Sequence, residues 1–147
     1  MDDVILSYSD IQTDVNNFVE QFETDNKTFT HVVGIARGGL VPAVMLSHKL
    51  NIPMLTYSVS SYIGRAYNLL KTDQDESVFD VLDQDSSVLI VDDICDTGKT
   101  IQYMVKLLAD VEVSVATITT KSHSKDMVDY YGAVVGDNKW VIFPWEV

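Results

Sequence analysis

Hydrophobic positions recur along this chain with two different periods, and the switch between them lays out its elements. Ile11, Val15, Phe18, Val19 and Phe22 fall on one face at the 3.6-residue period of an amphipathic helix. Ser9 and Gln12 have the spacing of a capping box at its start, and the polar stretch 24–30 ends it. A continuous apolar run over 31–36 predicts a buried strand. Arg37-Gly38-Gly39 follows as a turn, and Val41, Val44, Met45 and His48 carry a second helix. Asn51-Ile52-Pro53 turns the chain into a partly alternating strand over 54–60. From 63 to 86 the periodicity dissolves, apart from a short returning strand within 78–82. The β-branched run 88–91 predicts another buried strand, with an acidic pair where it ends. Ile101, Met104, Val105 and Leu108 mark a third helix, and 111–119 a further strand. A short helical or turn segment at 127–131 and a last strand at 133–135 precede an aromatic tail. Buried strands alternating with helices predict an α/β fold with a mostly parallel sheet and helices on both faces.

The polar residues that interrupt this pattern gather where strands give way to helices. In VLIVDDICDTGKT (residues 88–100), the apolar strand leads to Asp92 and Asp93, and then to Asp96, Thr97, Gly98, Lys99 and Thr100. Open α/β sheets bind ligands at the carboxyl ends of their strands. Gly98 allows close backbone approach, the threonines donate hydroxyls, and the unpaired N–H groups of the helix that follows favour an anion, so residues 97–100 suit a monophosphate. Two carboxylates beside such a cradle would repel phosphate. They suit sugar hydroxyls or a divalent cation instead, and the whole reads as a ribose 5-phosphate site. A P-loop would need a glycine where Asp93 stands. A phosphoacceptor domain would place the acidic pair after its first strand, not past the middle of the chain. At the earlier turn, Gly38 and Gly39 free backbone N–H groups to form an anion-binding concavity, and Arg37 adds a fork of donors.

Composition narrows the class. A chain of 147 residues that is 46% hydrophobic fits one domain, 1–147, with a full core. No apolar run approaches the ~18 residues of a membrane span, and the acidic start MDDVILSYSD carries no signal pattern. Its single cysteine cannot form an internal disulfide, so a reducing, cytoplasmic setting is expected. Cys95 itself is expected to be a small buried hydrophobe. A net charge of −12 opposes binding to nucleic acid or anionic membranes, and leaves a polyanionic ligand dependent on local donors and a metal ion. His31, His48 and His123 show no metal-ligand spacing.

An apolar strand, two acidic residues, two variable residues and D-T-G-x-T together resemble the phosphoribosyl pyrophosphate signature of the type I phosphoribosyltransferases. ARGGLVPA (residues 36–43) resembles the pyrophosphate loop of the same enzymes, especially the bacterial xanthine-guanine phosphoribosyltransferases, and the tail W-x-x-x-P-W with its following acid is similar to their purine-binding end. The resemblance implies that Asp92 and Asp93 hold the ribose hydroxyls and that Asp96, Thr97, Gly98, Lys99 and Thr100 wrap the 5-phosphate. It gives Arg37, Gly38 and Gly39 to the pyrophosphate, and a lid over about 62–86 opening with Ser61-Tyr62. Lys121 matches the lysine that contacts the purine 6-oxygen, Trp140 the stacking residue, and the backbone near Val141 the reader of the base edge. Asp96 matches the proton acceptor near the purine N7. Ile142 and Phe143 stand where those enzymes usually have polar residues, and the lysine of DTGKT is more typical of hypoxanthine-guanine relatives, which leaves the base preference open.

The implied activity is transfer of the 5-phosphoribosyl group from phosphoribosyl pyrophosphate to a 6-oxopurine, with Mg²⁺ acting mainly through the substrate and touching Asp92 and Asp93. A homo-oligomer, dimer or tetramer, is implied as well. A nucleotide-sensing regulator without catalysis, or a transferase for another nitrogen acceptor, remains open at this point.

Overall fold

The computed structural model describes residues 2–59 and 75–147. In chain order the elements are β1 (Asp3–Ile5), α1 (Tyr8–Thr24), β2 (His31–Ala36), α2 (Leu40–Leu50), β3 (Met54–Ser58), β4 (Ser87–Cys95), α3 (Lys99–Leu107), β5 (Glu112–Lys121), β6 (Tyr130–Val135) and β7 (Trp140–Ile142). Short 3-10 segments occupy Glu76–Val81, Ser122–Met127 and Pro144–Glu146. β3-β2-β4-β5-β6 form a five-stranded sheet in that order with parallel pairing throughout. Parallel neighbours need crossovers, which α2 supplies between β2 and β3, and α3 between β4 and β5.

Successive side chains of a strand point to opposite faces, and both faces here are apolar. Val32, Leu89 and Val91 pack on one side with Ile11, Val15 and Phe18 of α1 and with Ala43 and Leu46 of α2. Val33, Val88 and Ile90 pack on the other with Ile101 and Met104 of α3. Helices thus cover both faces of a parallel sheet, as the sequence predicts.

Several local features differ from the pattern's prediction. The capping box that opens α1 is Ser7 with Asp10, two residues before Ser9. Ser7 Oγ accepts the Asp10 N–H at 3.1 Å and Asp10 Oδ2 accepts the Ser7 N–H at 2.8 Å. The shorter acid closes the same reciprocal pair that a glutamine would. In α2 the buried stripe is Pro42, Ala43 and Leu46, while Val44 and His48 face outward. A Cβ on Gly34 would lie 2.7 Å from that of Ala43, so small residues are required where helix meets strand, and that contact selects the buried face. Residues 78–82 do not return as a strand. They lie largely in the first 3-10 turn, where Asp75 Oδ1 accepts the Ser77 N–H at 2.8 Å and Phe79 packs on Tyr57 with ring centroids 5.1 Å apart. Of the expected lid over about 62–86, residues 62–74 lie outside the described residues.

The difference that shapes the site is the length of β4. Its pairing with β2 ends at Gly34↔Val91, but its pairing with β5 runs on to Cys95↔Thr120. Asp92 and Asp93 thus lie within the strand and not beyond it, because β5 offers a long partner that β2 does not.

Candidate active site

Where β2 stops and β4 continues, a cleft of about 290 Å³ opens. Arg37 and Gly38 line one side, Asp92 and Asp93 the floor, and Asp96, Thr97, Gly98 and Thr100 the opposite side. Sequence-predicted residues from both loops therefore meet in one place.

The glycines of the first loop make this meeting possible. A Cβ on Gly39 would lie 2.5 Å from the Val91 carbonyl oxygen, 2.8 Å from that of Ile35 and 2.9 Å from Asp92 Cα, so only glycine lets the loop rest on the β4 backbone. A Cβ on Gly38 would lie 1.9 Å from Asp93 Oδ2. The loop and the acidic pair are in direct contact. One expectation needs correction here: the Gly39 N–H is not free for an anion, because it donates to Ile35 O at 2.9 Å. Gly39 shapes the loop, and Arg37 and Gly38 are the members that face the cleft.

Asp92 Oδ1 accepts the Asp93 N–H at 2.8 Å, and Asp93 Oδ1 accepts the Ile94 N–H at 2.8 Å. Burial pushes the Asp92 carboxyl well above the usual carboxylate range, and the neighbouring Asp93 charge adds to this. Burial raises Asp93 as well, with the Glu146 charge contributing in the same direction. The pair therefore gains from a ligand that brings hydroxyl donors or positive charge.

Beyond Cys95, Gly98 takes φ +85°, a left-handed conformation suited to glycine, and caps α3. Thr97 Oγ1 accepts the Lys99 N–H at 3.3 Å. The first amides of α3 stand at the cleft, with the partial positive charge of a helix N-terminus. Lys99 does not line the cleft. Cys95 is 1% exposed, and burial raises its thiol, so it serves packing and not nucleophilic chemistry.

The remaining expected residues sit around this centre. Lys121 is buried at the end of β5, where its Nζ donates to the carbonyls of Lys139 and, at 3.4 Å, Gly136. It does not line the cleft. Trp140 is 66% exposed, so its indole face is accessible. Val141 packs its side chain into the core and pairs with Val4 of β1, so only its backbone is available for recognition. Trp145 stacks on Phe143 with centroids 5.1 Å apart and planes 9° apart, a packing role. Ser61 and Tyr62 lie outside the described residues.

Sequence reasoning missed His123. Its Nε2 lies 2.8 Å from the main-chain oxygen of Asp96, and its Nδ1 lies 2.9 Å from Asp137 Oδ1. No spacing rule joins these residues. Only the register that sets Cys95 beside Thr120 brings them together. The cleft also has apolar walls, from Ile35, Val59, Ile94 and Ile101, that the motifs did not reveal.

A helix N-terminus, a buried acidic pair and a cationic turn in one cleft fit a phosphorylated sugar carrying a second anionic group. Residues 7–147 match the family described as "Phosphoribosyl transferase domain". The chain belongs to this phosphoribosyltransferase family. Among its relatives, the xanthine-guanine phosphoribosyltransferase of Cereibacter sphaeroides is 37% identical over 127 residues, covering 84% of this chain and 72% of the relative. That of Chromohalobacter salexigens is 29% identical over 144 residues, covering 97% and 83%. Among solved structures, a purine phosphoribosyltransferase from Pyrococcus horikoshii superposes with a TM-score of 0.80 at 30% identity, covering 100% of this chain and 95% of the other.

Proposed function

We infer that the protein transfers the 5-phosphoribosyl group of phosphoribosyl pyrophosphate to a 6-oxopurine, releasing pyrophosphate and a purine nucleoside monophosphate. The observation that carries this reading is the convergence of Arg37, the Asp92–Asp93 pair and the 97–100 loop in one cleft. In this reading the α3 N-terminus and the hydroxyls of Thr97 and Thr100 hold the 5-phosphate. Asp92 and Asp93 accept hydrogen bonds from the ribose hydroxyls, which replace the solvation that burial denies them. Arg37 and the Gly38 amide face the departing pyrophosphate and stabilise the negative charge that develops there.

The donor set fits Mg²⁺ only in part. The acidic pair offers the hard oxygen ligands this ion prefers. Among the described residues, however, no group of three or more His, Cys, Asp or Glu side chains could hold a metal. The remaining ligands would come from the diphosphate, ribose and water. When bound, the ion supplies charge neutralisation of the leaving group.

Purine specificity is supported by the named activities of the relatives and by the surroundings of the cleft. Trp140 presents an exposed aromatic face for a base to stack on. Lys121 retains one ammonium proton after its two carbonyl partners, enough for a 6-oxygen. Asp96 keeps its carboxylate at the mouth of the cleft, with the side chain 62% exposed, and accepts the purine proton as the new bond forms.

The test is pyrophosphate release from phosphoribosyl pyrophosphate with guanine, xanthine, hypoxanthine and adenine, with and without excess chelator. Turnover on 6-oxopurines that stops with chelator is expected. Absence of release with every base would replace the enzyme by a nucleotide-binding protein of the same fold.

A further inference from the structure

His123 lies outside the cleft and joins its phosphate loop to the turn between β6 and β7. It sits in the 3-10 turn Ser122–Met127 after β5, and its ring reaches from the phosphate loop to the turn between β6 and β7. The Nε2 partner at 2.8 Å is a carbonyl oxygen, and the Nδ1 partner at 2.9 Å is a carboxylate oxygen. The His123 main-chain N–H also donates to Asp137 Oδ1, at 3.3 Å. Carbonyl and carboxylate oxygens only accept. An imidazolium can donate to both partners, since only that form carries a proton on each nitrogen. A neutral ring serves one partner and turns a lone pair toward the other.

What stands at each end gives this contact its meaning. Asp96 begins the phosphate loop and is the proposed proton acceptor. Asp137 belongs to the turn whose Gly136 and Lys139 carbonyls receive the Lys121 ammonium, and which leads directly into Trp140. The ring thus spans from the proton acceptor to the segment that organises both base-facing side chains. We propose that His123 is a positioning residue: its ring holds Asp96 and the β6–β7 turn at the separation that lets one purine meet Asp96, Lys121 and Trp140 together. The role rests on the reading of the site given above.

The titratable groups that face the ring from neighbouring elements are Asp96, whose Oδ1 lies 4.0 Å from Nε2, and Asp137. Among the described residues neither carboxylate forms an ion pair with any other cation. Loss of the ring therefore leaves both carboxylates without their basic partner.

Two substitutions separate positioning from bulk stability. His123→Ala removes both donors. His123→Arg keeps a permanent charge and several donors. The side chain is 46% exposed, so neither change opens a core cavity, and a thermal melt confirms folding. Pyrophosphate release is measured against guanine and phosphoribosyl pyrophosphate concentration for wild type and both variants. His123→Ala should lower kcat/KM for guanine about tenfold, the effect of one charge-assisted hydrogen bond, with KM for phosphoribosyl pyrophosphate unchanged. His123→Arg, which keeps several donors on a long side chain, should retain most of the wild-type activity. His123→Ala kinetics equal to wild type, or an arginine variant no better than the alanine one, would refute the positioning role alone. A wild-type protein that turns over no purine would refute the reading of the site, and this role with it.

Discussion

Gly38→Ala should damage catalysis far more than folding, and the geometry gives the size. The added methyl would lie 1.9 Å from Asp93 Oδ2 and 2.4 Å from Asp93 Cγ, against roughly 3.5–4.0 Å for an ordinary contact. Something must move by more than 1 Å. The first atoms met belong to a side chain, so the Asp93 carboxylate can rotate, giving up the bond it accepts from Ile94 N–H. Overpacking of this kind costs about 1–3 kcal/mol of stability. A displacement on the order of 1 Å at a substrate-positioning group costs about 10²-fold in rate. Gly38→Ala should therefore fold, melt a few degrees lower and lose about 10²-fold in kcat/KM for phosphoribosyl pyrophosphate. Gly39→Ala is the control: its methyl would meet backbone atoms at 2.5, 2.8 and 2.9 Å, and no rotamer relieves them, so its main defect should be in stability. Initial rates of pyrophosphate release and thermal melts on both variants decide the matter. A folded Gly38→Ala protein within threefold of wild type would refute the proposed contact between loop and acid.

Three further outcomes follow from the charges. Asp92→Asn should keep the bond to Asp93 N–H while removing a buried charge. Its folded-state carboxyl is raised, so ionisation opposes folding progressively as pH climbs above the unfolded value, and the variant should melt higher than wild type at neutral pH although substrate binding weakens; a lower melt there would contradict this. Asp14, on α1 against Gly132, is pushed up to about 6 by burial and the Asp10 charge. Its ionisation costs stability that sets in above the unfolded value near 3.8 and is complete above about 6, on the order of 1 kcal/mol once its partial exposure is discounted. The melting advantage of Asp14→Asn should accordingly grow from pH 4 to pH 8, and a constant advantage would remove Asp14 as the cause. Asp96→Asn should lower kcat on the order of 10²-fold with little change in KM for phosphoribosyl pyrophosphate, and a kcat within a few fold of wild type would make Asp96 a loop residue only.

The parts of the fold legible in the sequence were those fixed by short-range physics. The apolar run at 31–36 became β2, and the Ile11–Val15–Phe18–Phe22 stripe became the buried face of α1. The two glycine-bearing loops were legible because strand, turn and helix are contiguous there. What stayed hidden depends on partners distant in the chain. α2 is apolar nearly all round, so only its contact with Gly34 selects the face that Pro42, Ala43 and Leu46 present. The 76–81 segment has the apolar residues of a strand but curls into a 3-10 turn and packs Phe79 on Tyr57. β1 and β7 are only three residues each, and their pairing joins the two ends of the chain. The commitment of the Gly39 amide and the reach of His123 are tertiary contacts that no local pattern encodes.

The unequal lengths of β2 and β4 have a dynamic consequence. Up to Val91, β4 is flanked by β2 and β5, and its amides belong with the slowest to exchange with solvent. From Asp92 onward it keeps β5 alone, and the carboxylates of Asp92 and Asp93 take up the N–H groups of the residues that follow them. The boundary between the doubly flanked and the singly flanked part of β4 thus falls at the acidic pair. One side of the acidic pair is anchored in the doubly flanked part of β4, while the other is held by β5 and by the pair's own hydrogen bonds.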